Sequence, residues 1–269
     1  MRVKKKIEKG LEIDVEKIEG RIIKFIQEKT EEANAEGAVI GLSGGLDSST
    51  IAYLAKEALG QKNVLGIFIP EKGVTEKRDF EDVEKVTKNS GIDSKTIPID
   101  DPLQELKKKV GANDEERMGL ANMKARMRMT ILYYYANTSN SLVIGSSNKS
   151  ELQCGYFTKF GDGASDIVPM SQLYKSQEKK IAKDLGIPKS IIEKPPTAGL
   201  WKNQSDEKEL GLPYEKIDKI YRGLELGFEK KEIAEALDLN ISDIEKFKQM
   251  KKKSGHKRKG PTHLDLNLD

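Results

Sequence analysis

The sequence predicts an α/β fold, a Rossmann-like doubly wound parallel sheet flanked by helices with additional C-terminal helices, and three observations carry that prediction. Short apolar runs without a polar face recur at 38–42, 64–69 and 142–144, separated by stretches of helical periodicity. Such strands are expected where helices cover both faces of a parallel sheet. A glycine-rich turn follows the first run directly and leads into a helix. Finally, 269 residues with 36% apolar content suit one α/β domain with additions, so 1–269 is read as a single domain.

The elements follow in order. Ile18, Ile22, Ile23, Phe25 and Ile26 lie among charges at helical spacing and predict a helix over Val15–Glu32. The strand at 38–42 comes next, then a helix over 48–59 that ends before Gly60, and a strand over 64–69 stopped by Pro70. A helix over 75–89, a strand over 95–99 and a short helix over 103–109 continue the alternation. A long helix rich in Met and Tyr is expected over 115–135, before the strand at 142–144. Residues 154–169 are polar, contain glycine, and are too many for a simple connection. A helix over 171–185 is expected with Ser171 as its cap, and 194–212 shows little periodicity, with Pro195, Pro196, Gly199 and Gly211 interrupting it. Helices over 214–226, 230–237 and 241–252 close the pattern and are expected to pack on the first unit.

In parallel sheets of this kind, ligands lie beyond the carboxyl ends of the strands, where strand order reverses. The segments after Leu42, Ile69, Ile99 and Ile144 are therefore expected to face one cleft.

Charge is nearly balanced, with 47 basic against 44 acidic side chains and a net +3. A weak, mixed field gives no general reason for a nucleic-acid partner. Cys154 is the only cysteine, which excludes an internal disulfide and a thiolate metal cluster. No stretch approaches the roughly 20 apolar residues that cross a bilayer, and the charged start leads into no signal-peptide core. A cytoplasmic protein without a membrane partner is expected.

The loop at 43–49 carries the clearest chemistry. Ser43, Gly44 and Gly45 can turn tightly and present successive N–H groups, and Asp47, Ser48 and Ser49 open a helix whose positive end favours phosphate. Asp47 would repel a directly bound phosphate, but makes sense with Mg2+ between them. The segment lacks the lysine of the common nucleoside-triphosphatase loop and is not a Gly-x-Gly-x-x-Gly dinucleotide fingerprint. A plain glycine turn capped by Asp47 is the bland alternative. After the fourth strand, Glu151 reaches the same cleft as Asp47, and two carboxylates from different loops make a plausible Mg2+ pair. Its alternative role is an ordinary cap or ion pair. Arg126 and Arg128 are two positions apart on the long helix and point differently, so Arg126 is a candidate for holding a ligand and Arg128 for an ion pair within the fold, with two plain surface charges as the alternative. In the 155–166 loop, Lys159 offers a cation, while Asp162 and Asp166 offer acceptors for a ribose or an amide.

The run Ser43-Gly44-Gly45-Leu46-Asp47-Ser48 resembles the signature of the ATP pyrophosphatase superfamily, whose members adenylylate an oxygen and release pyrophosphate. From about Ile18 to Lys257 the chain further resembles the single-domain, ammonia-dependent NAD+ synthetases. That resemblance rests on Lys124 to Arg128, Asn148 to Glu151, Tyr156 to Gly163, Pro196 to Trp201, Ser205 to Gly211 and His256 to Arg258. It implies ATP contacts from Gly41, Leu42, Ser43, Gly44, Gly45, Leu46, Asp47 and Ser48, together with Ser146, Lys175 and Thr197. Relatives often have Thr at Ser146, which preserves the hydroxyl. It implies Mg2+ at Asp47 and Glu151, with Lys175 helping to neutralise the phosphate charge, and contacts to deamido-NAD+ from Arg126, Lys159, Asp166, His256 and Lys257. It also implies a mobile lid over 194–211 and a homodimer.

The implied reaction is ATP-dependent amidation of deamido-NAD+ by ammonia, giving NAD+, AMP and pyrophosphate through an adenylylated carboxylate. The synthetase pattern spans the 269 residues, so free ammonia is the expected nitrogen source, and a separate glutaminase remains compatible. Two other readings stay open at this point: a related ATP pyrophosphatase that amidates a nucleotide or thiolates transfer RNA, and an inactive nucleotide sensor.

Overall fold

The computed structural model describes residues 2–264. The first half alternates strands and helices. Helices α1 (Arg2–Lys9) and α2 (Val15–Glu32) precede β1 (Gly37–Leu42). Then follow α3 (Leu46–Leu59), β2 (Val64–Phe68), α4 (Lys77–Ser90), β3 (Asp93–Thr96), α5 (Asp100–Val110), α6 (Arg117–Thr138) and β4 (Ser141–Val143). The second half is helical: α7 (Lys149–Cys154), α8 (Lys175–Asp184), α9 (Lys189–Ile192), α10 (Asp206–Leu210), α11 (Tyr214–Glu225), α12 (Lys230–Leu237) and α13 (Ile241–Lys253).

The four strands form one parallel sheet in the order β3-β2-β1-β4. Gly41 of β1 is level with Ile67 of β2, and Val39 with Val143 of β4. The chain builds outward from β1 to β3, then returns to place β4 on the other side of β1. The order therefore reverses between β1 and β4, and the crevice at their carboxyl ends is where the fold leaves room for a ligand.

Three apolar clusters explain why these elements stay in place. One face of the sheet carries α3, whose Ile51, Ala52, Leu54 and Ala55 are wholly buried against α2 and α8. The other face is covered by α5 and α6, where Val39, Ile67, Ile99, Leu103, Ala136 and Val143 meet. A third cluster centres on Tyr214, Ile217, Ile220, Tyr221, Ile244 and Phe247 and joins α11 to α13. The late helices contact α7 and α8, as expected of helices packing on the first unit.

Several boundaries differ from the sequence reading for physical reasons. The third strand is Asp93–Thr96 rather than 95–99, because it is an exposed edge strand, and Ile97 and Ile99 fall just after it. Ser171 caps no helix. It lies in a turn in which Leu173 donates to the Met170 carbonyl at 2.9 Å, and α8 starts only at Lys175. Residues 206–210 form one short helix inside the stretch read as irregular. The 154–169 loop is ordered by a strand-like rung in which Gly145 donates to the Ile167 carbonyl at 2.9 Å, and Asp166 to that of Val143 at 3.0 Å.

Candidate active site

The turn after β1 closes on itself through its hydroxyls. Ser43 Oγ lies 3.0 Å from Ser48 Oγ and accepts the Gly45 N–H at 3.2 Å, while Ser48 and Ser49 donate to the Gly45 carbonyl at 3.2 and 2.7 Å. Gly44 has φ +72°, and a Cβ there would stand 2.7 Å from the Asp79 carbonyl oxygen. The turn therefore needs glycine for both its dihedral and its closeness to α4. Gly41 and Leu42 are the last residues of β1, and Leu46, Asp47 and Ser48 form the first turn of α3. The predicted strand, glycine turn and helix amino terminus are therefore contiguous.

Asp47 meets the loop after β4 at a buried junction. Asn148, fully buried, donates its side-chain amide to Asp47 Oδ1 at 2.6 Å and to Glu178 Oε2 at 3.3 Å. Asn148 also caps α7, accepting the Glu151 N–H at 3.1 Å, while Glu151 accepts the Asn148 N–H at 3.3 Å. This reciprocal cap places Glu151 beside Asp47. Lys175, at the first position of α8, sends its ammonium between them. It bonds both Asp47 oxygens and lies 3.6 Å from Glu151 Oε1 and 3.8 Å from Glu178 Oε2.

The charges do not balance within this junction. Three carboxyl groups face one ammonium, with Lys175 and Glu178 buried and Asp47 and Glu151 partly so. Burial and the Asp47 charge hold Glu151 up to about 8, and the same two causes raise Glu178 well above the usual carboxylate range. Burial is the largest influence on Asp47 and pushes it up, but the Lys175 charge together with hydrogen bonds from Glu178, Lys175 and Asn148 brings that carboxyl below its ordinary value. Glu178 Oε1 is buried without a hydrogen-bond partner. Among the described residues no cluster of three or more His, Cys, Asp or Glu side chains has the spacing of a complete metal cage. Asp47 and Glu151 nevertheless supply two adjacent oxygen donors, the set that suits a hard cation completed by phosphate oxygens and water. Glu178 escaped sequence reasoning, because a glutamate three residues after a lysine reads as an ordinary surface pair.

The remaining ATP-directed residues are less engaged. Ser146 is half-buried just beyond β4, and Thr197 is exposed, accepting the Gly199 N–H at 3.2 Å. Segment 194–211 is held at several points. Asp206 accepts the Ala198 N–H at 2.9 Å, Lys124 donates to the Leu200 carbonyl at 2.9 Å, and the Arg117 guanidinium sits 3.9 Å from the Trp201 ring centroid.

The residues expected to touch the dinucleotide separate into groups. Arg126 donates to the Lys159 carbonyl at 3.3 Å, and Lys159 donates to the His256 carbonyl at 2.8 Å, so these three gather at one surface. Lys257 adjoins them, but its ammonium turns to the Gly155 and Phe157 carbonyls, both at 2.8 Å. Asp166 accepts the Val143 N–H at 2.7 Å and the Tyr133 hydroxyl at 3.2 Å, which ties the loop to β4 and α6. Arg128 is held inside the fold as expected, although its partner is the Ile69 carbonyl at 3.1 Å rather than a carboxylate. Cys154 is buried and its thiol is pushed up to about 12 by burial, so it is no nucleophile. No helix among the described residues is long and apolar enough to cross a membrane.

This arrangement has close counterparts. The family model described as NAD synthase matches residues 18–261. The chain is 47% identical over 249 residues to the NH(3)-dependent NAD(+) synthetase of Methanocaldococcus jannaschii, covering 92% of this chain and 96% of that one. It is 44% identical over 250 residues to the enzyme of the same name from Thermococcus sibiricus, covering 93% and 97%. Among solved structures, the NMN synthetase of Francisella tularensis superposes with a TM-score of 0.83 at 32% identity, over 96% of this chain and 100% of that one. The NH3-dependent NAD synthetase of Campylobacter jejuni superposes with a TM-score of 0.78 at 34% identity, over 94% and 100%. With the phosphate-type turn and the carboxylate junction at the β1/β4 switch point, these likenesses place the chain in the NAD synthase family.

Proposed function

We propose that the protein joins ammonia to the nicotinate carboxylate of deamido-NAD+ in an ATP-dependent ligase reaction that forms NAD+, AMP and pyrophosphate. The junction of Asp47, Asn148, Glu151 and Lys175 beside the glycine turn is the observation that carries this reading. A carboxylate is a poor acyl donor, so activation must precede amide formation. A carboxylate oxygen attacks the α-phosphorus, and the bond to pyrophosphate breaks with its electron pair leaving on oxygen. Ammonia then attacks the acyl carbon, AMP departs, and the nitrogen loses a proton.

The chain's own groups account for the charge that develops. N–H groups of the 43–48 turn and the amino terminus of α3 face the phosphates, and Lys175 supplies a buried positive charge. Asp47 and Glu151 are the residues that would hold Mg2+, which would neutralise phosphate charge and favour the departure of pyrophosphate. Ser146 and Thr197 add hydroxyls on the ATP side, and Arg126, Lys159 and His256 face the dinucleotide, with Asp166 and Lys257 shaping its loop. Segment 194–211 acts as a lid that keeps water from the activated carboxylate. Exposed Leu106 and Val110, one turn apart on α5, support a homodimer built on this face.

The test is to incubate the purified protein with Mg·ATP, ammonium and deamido-NAD+ and to quantify NAD+, AMP and pyrophosphate. All three are expected in equal amounts. Their absence from folded, ATP-binding protein defeats the activity, and ATP binding without pyrophosphate release decides for a nucleotide sensor. The likeness to an NMN synthetase motivates a parallel arm with nicotinate mononucleotide, for which a lower kcat/KM is expected. Glutamine in place of ammonium tests the nitrogen source.

A further inference from the structure

Lys194 makes a contact that neither motif nor spacing assigns. Its ammonium lies 2.9 Å from the Gly44 carbonyl oxygen, 2.7 Å from Asp79 Oδ1 and 2.9 Å from Asp82 Oδ2. The side chain is 10% exposed, and Asp82 is wholly buried on α4. Three acceptors use all three ammonium hydrogens, so no donor is left over for a ligand. This lysine acts on the protein.

We propose that Lys194 is a positioning residue for the phosphate grip, orienting the Gly44–Gly45 peptide and coupling the base of the 194–211 segment to the turn. The inference rests on the reading that the turn at 43–48 holds the ATP phosphates. A peptide unit is planar and trans, so its carbonyl and the following N–H point in opposite directions. Holding the Gly44 oxygen toward α4 therefore directs the Gly45 N–H to the other side, where it meets Ser43 Oγ at 3.2 Å. That is a long bond, readily exchanged for one to a phosphate oxygen. The positive φ of Gly44 leaves this peptide without side-chain restraint, and the ammonium supplies one from outside the turn.

The charge matters as much as the geometry. Asp79 and Asp82 stand directly behind the turn and would repel a polyphosphate in front of it. Lys194 faces both and, with Lys85 3.1 Å from Asp82, offsets them. Because Lys194 is also the first residue of the 194–211 segment, displacement of that segment's base withdraws the restraint from the turn.

The experiment compares wild type with Lys194→Met, Lys194→Arg and Ser43→Ala, using calorimetric binding of Mg·ATP and of inorganic pyrophosphate, steady-state KM for each substrate, and thermal melting. In Lys194→Met the affinity for Mg·ATP and pyrophosphate falls about tenfold, the loss of one charge-assisted hydrogen bond, while the dinucleotide KM stays within about twofold. Lys194→Arg, which keeps the charge and the donors, recovers most of that affinity. A Met variant with a lower melting temperature but unchanged ATP affinity has lost only an ion pair, and overturns the proposal. So does an equal rise in both KM values, or an Arg variant as weak as the Met one. If Lys194→Met does not fold, Lys194→Gln is read by the same criteria. Ser43→Ala separates the two levels of the argument. If it weakens ATP binding and Lys194→Met does not, the positioning role alone fails; if it too leaves ATP binding unchanged, the phosphate-turn reading fails and the proposal with it.

Discussion

Asn148 donates its side-chain amide to Asp47 Oδ1 at 2.6 Å, bridging 101 residues of sequence and tying the segment after β4 to the turn after β1. The same amide reaches Glu178, so one buried asparagine aims two carboxylates whose charges repel. Asp47 is thereby fixed in direction before any substrate arrives, which is the preorganisation that electrostatic catalysis requires.

Replacing Asp47 tests that placement. Asp47→Ala is expected to lower kcat by about a hundredfold or more, with the KM for deamido-NAD+ changed less than about threefold, since the proposed role of Asp47 lies with the ATP phosphates and not with the dinucleotide. Steady-state kinetics with each substrate varied in turn checks this. A variant with normal turnover at saturation but a large loss of dinucleotide affinity contradicts the metal role.

Gly44→Ala forces a Cβ into a left-handed conformation and against the Asp79 backbone. Strain of this kind costs about 1–3 kcal/mol, so a lower denaturation midpoint is expected, together with weaker Mg·ATP binding. Urea titration followed by calorimetry measures both. Unchanged stability would mean that the turn accommodates a side chain by moving away from α4.

Asp206 predicts a pH dependence. Burial raises its carboxyl to about 6, against the opposing pull of Lys175, whereas the unfolded value is near 3.9. Between these values the folded state retains a proton that the unfolded chain has released. Its stabilising contribution is therefore complete below about pH 4 and lost as pH rises through about 6. In Asp206→Asn this titration is absent. The melting-temperature difference, variant minus wild type, should rise from pH 4 and level off near pH 7. A difference that does not vary with pH rejects the assignment.

Val110 is 58% exposed on α5, one turn beyond Leu106, which is 37% exposed. A charge placed there should oppose burial against a second copy. Val110→Glu is expected to shift sedimentation from dimer toward monomer while the melting transition stays cooperative. A wild-type protein that sediments as a monomer at micromolar concentration rejects the homodimer at once.

Much of this was legible in the sequence because the information is local. The 38–42 run, the glycines after it and the hydroxyls at Ser43 and Ser48 are neighbours in the chain, and their spacing alone defines strand, turn and helix. What escaped was decided by distant partners. The helix at Arg2–Lys9 hides behind its charges, since Ile7 alone is buried in it, against the late helices. Short α7 and α10 have too few residues to show a period, and β3 is too exposed to show a pattern. Glu178 and Lys194 look like any surface charge in a chain that is 34% charged. Only the tertiary structure shows one within a carboxylate junction and the other bonded to a backbone oxygen of the turn. Lys257 illustrates the opposite difficulty, a residue whose motif is recognisable but whose ammonium is occupied by two carbonyls of its own chain.

The rung between Ile144 and Ile167 has a further meaning for the behaviour of the protein in bulk. β4 is the outermost strand on its side, and the backbone groups on its open flank would template the addition of a foreign strand. The loop that bears Lys159 and Asp166 covers part of that flank, donating to Val143 and accepting from Gly145. Under the proposed function, substrate selection and protection against self-association therefore reside in one segment. A variant whose loop is loosened to admit a bulkier substrate should reveal itself first as turbidity on storage, before any deficit in binding is measurable.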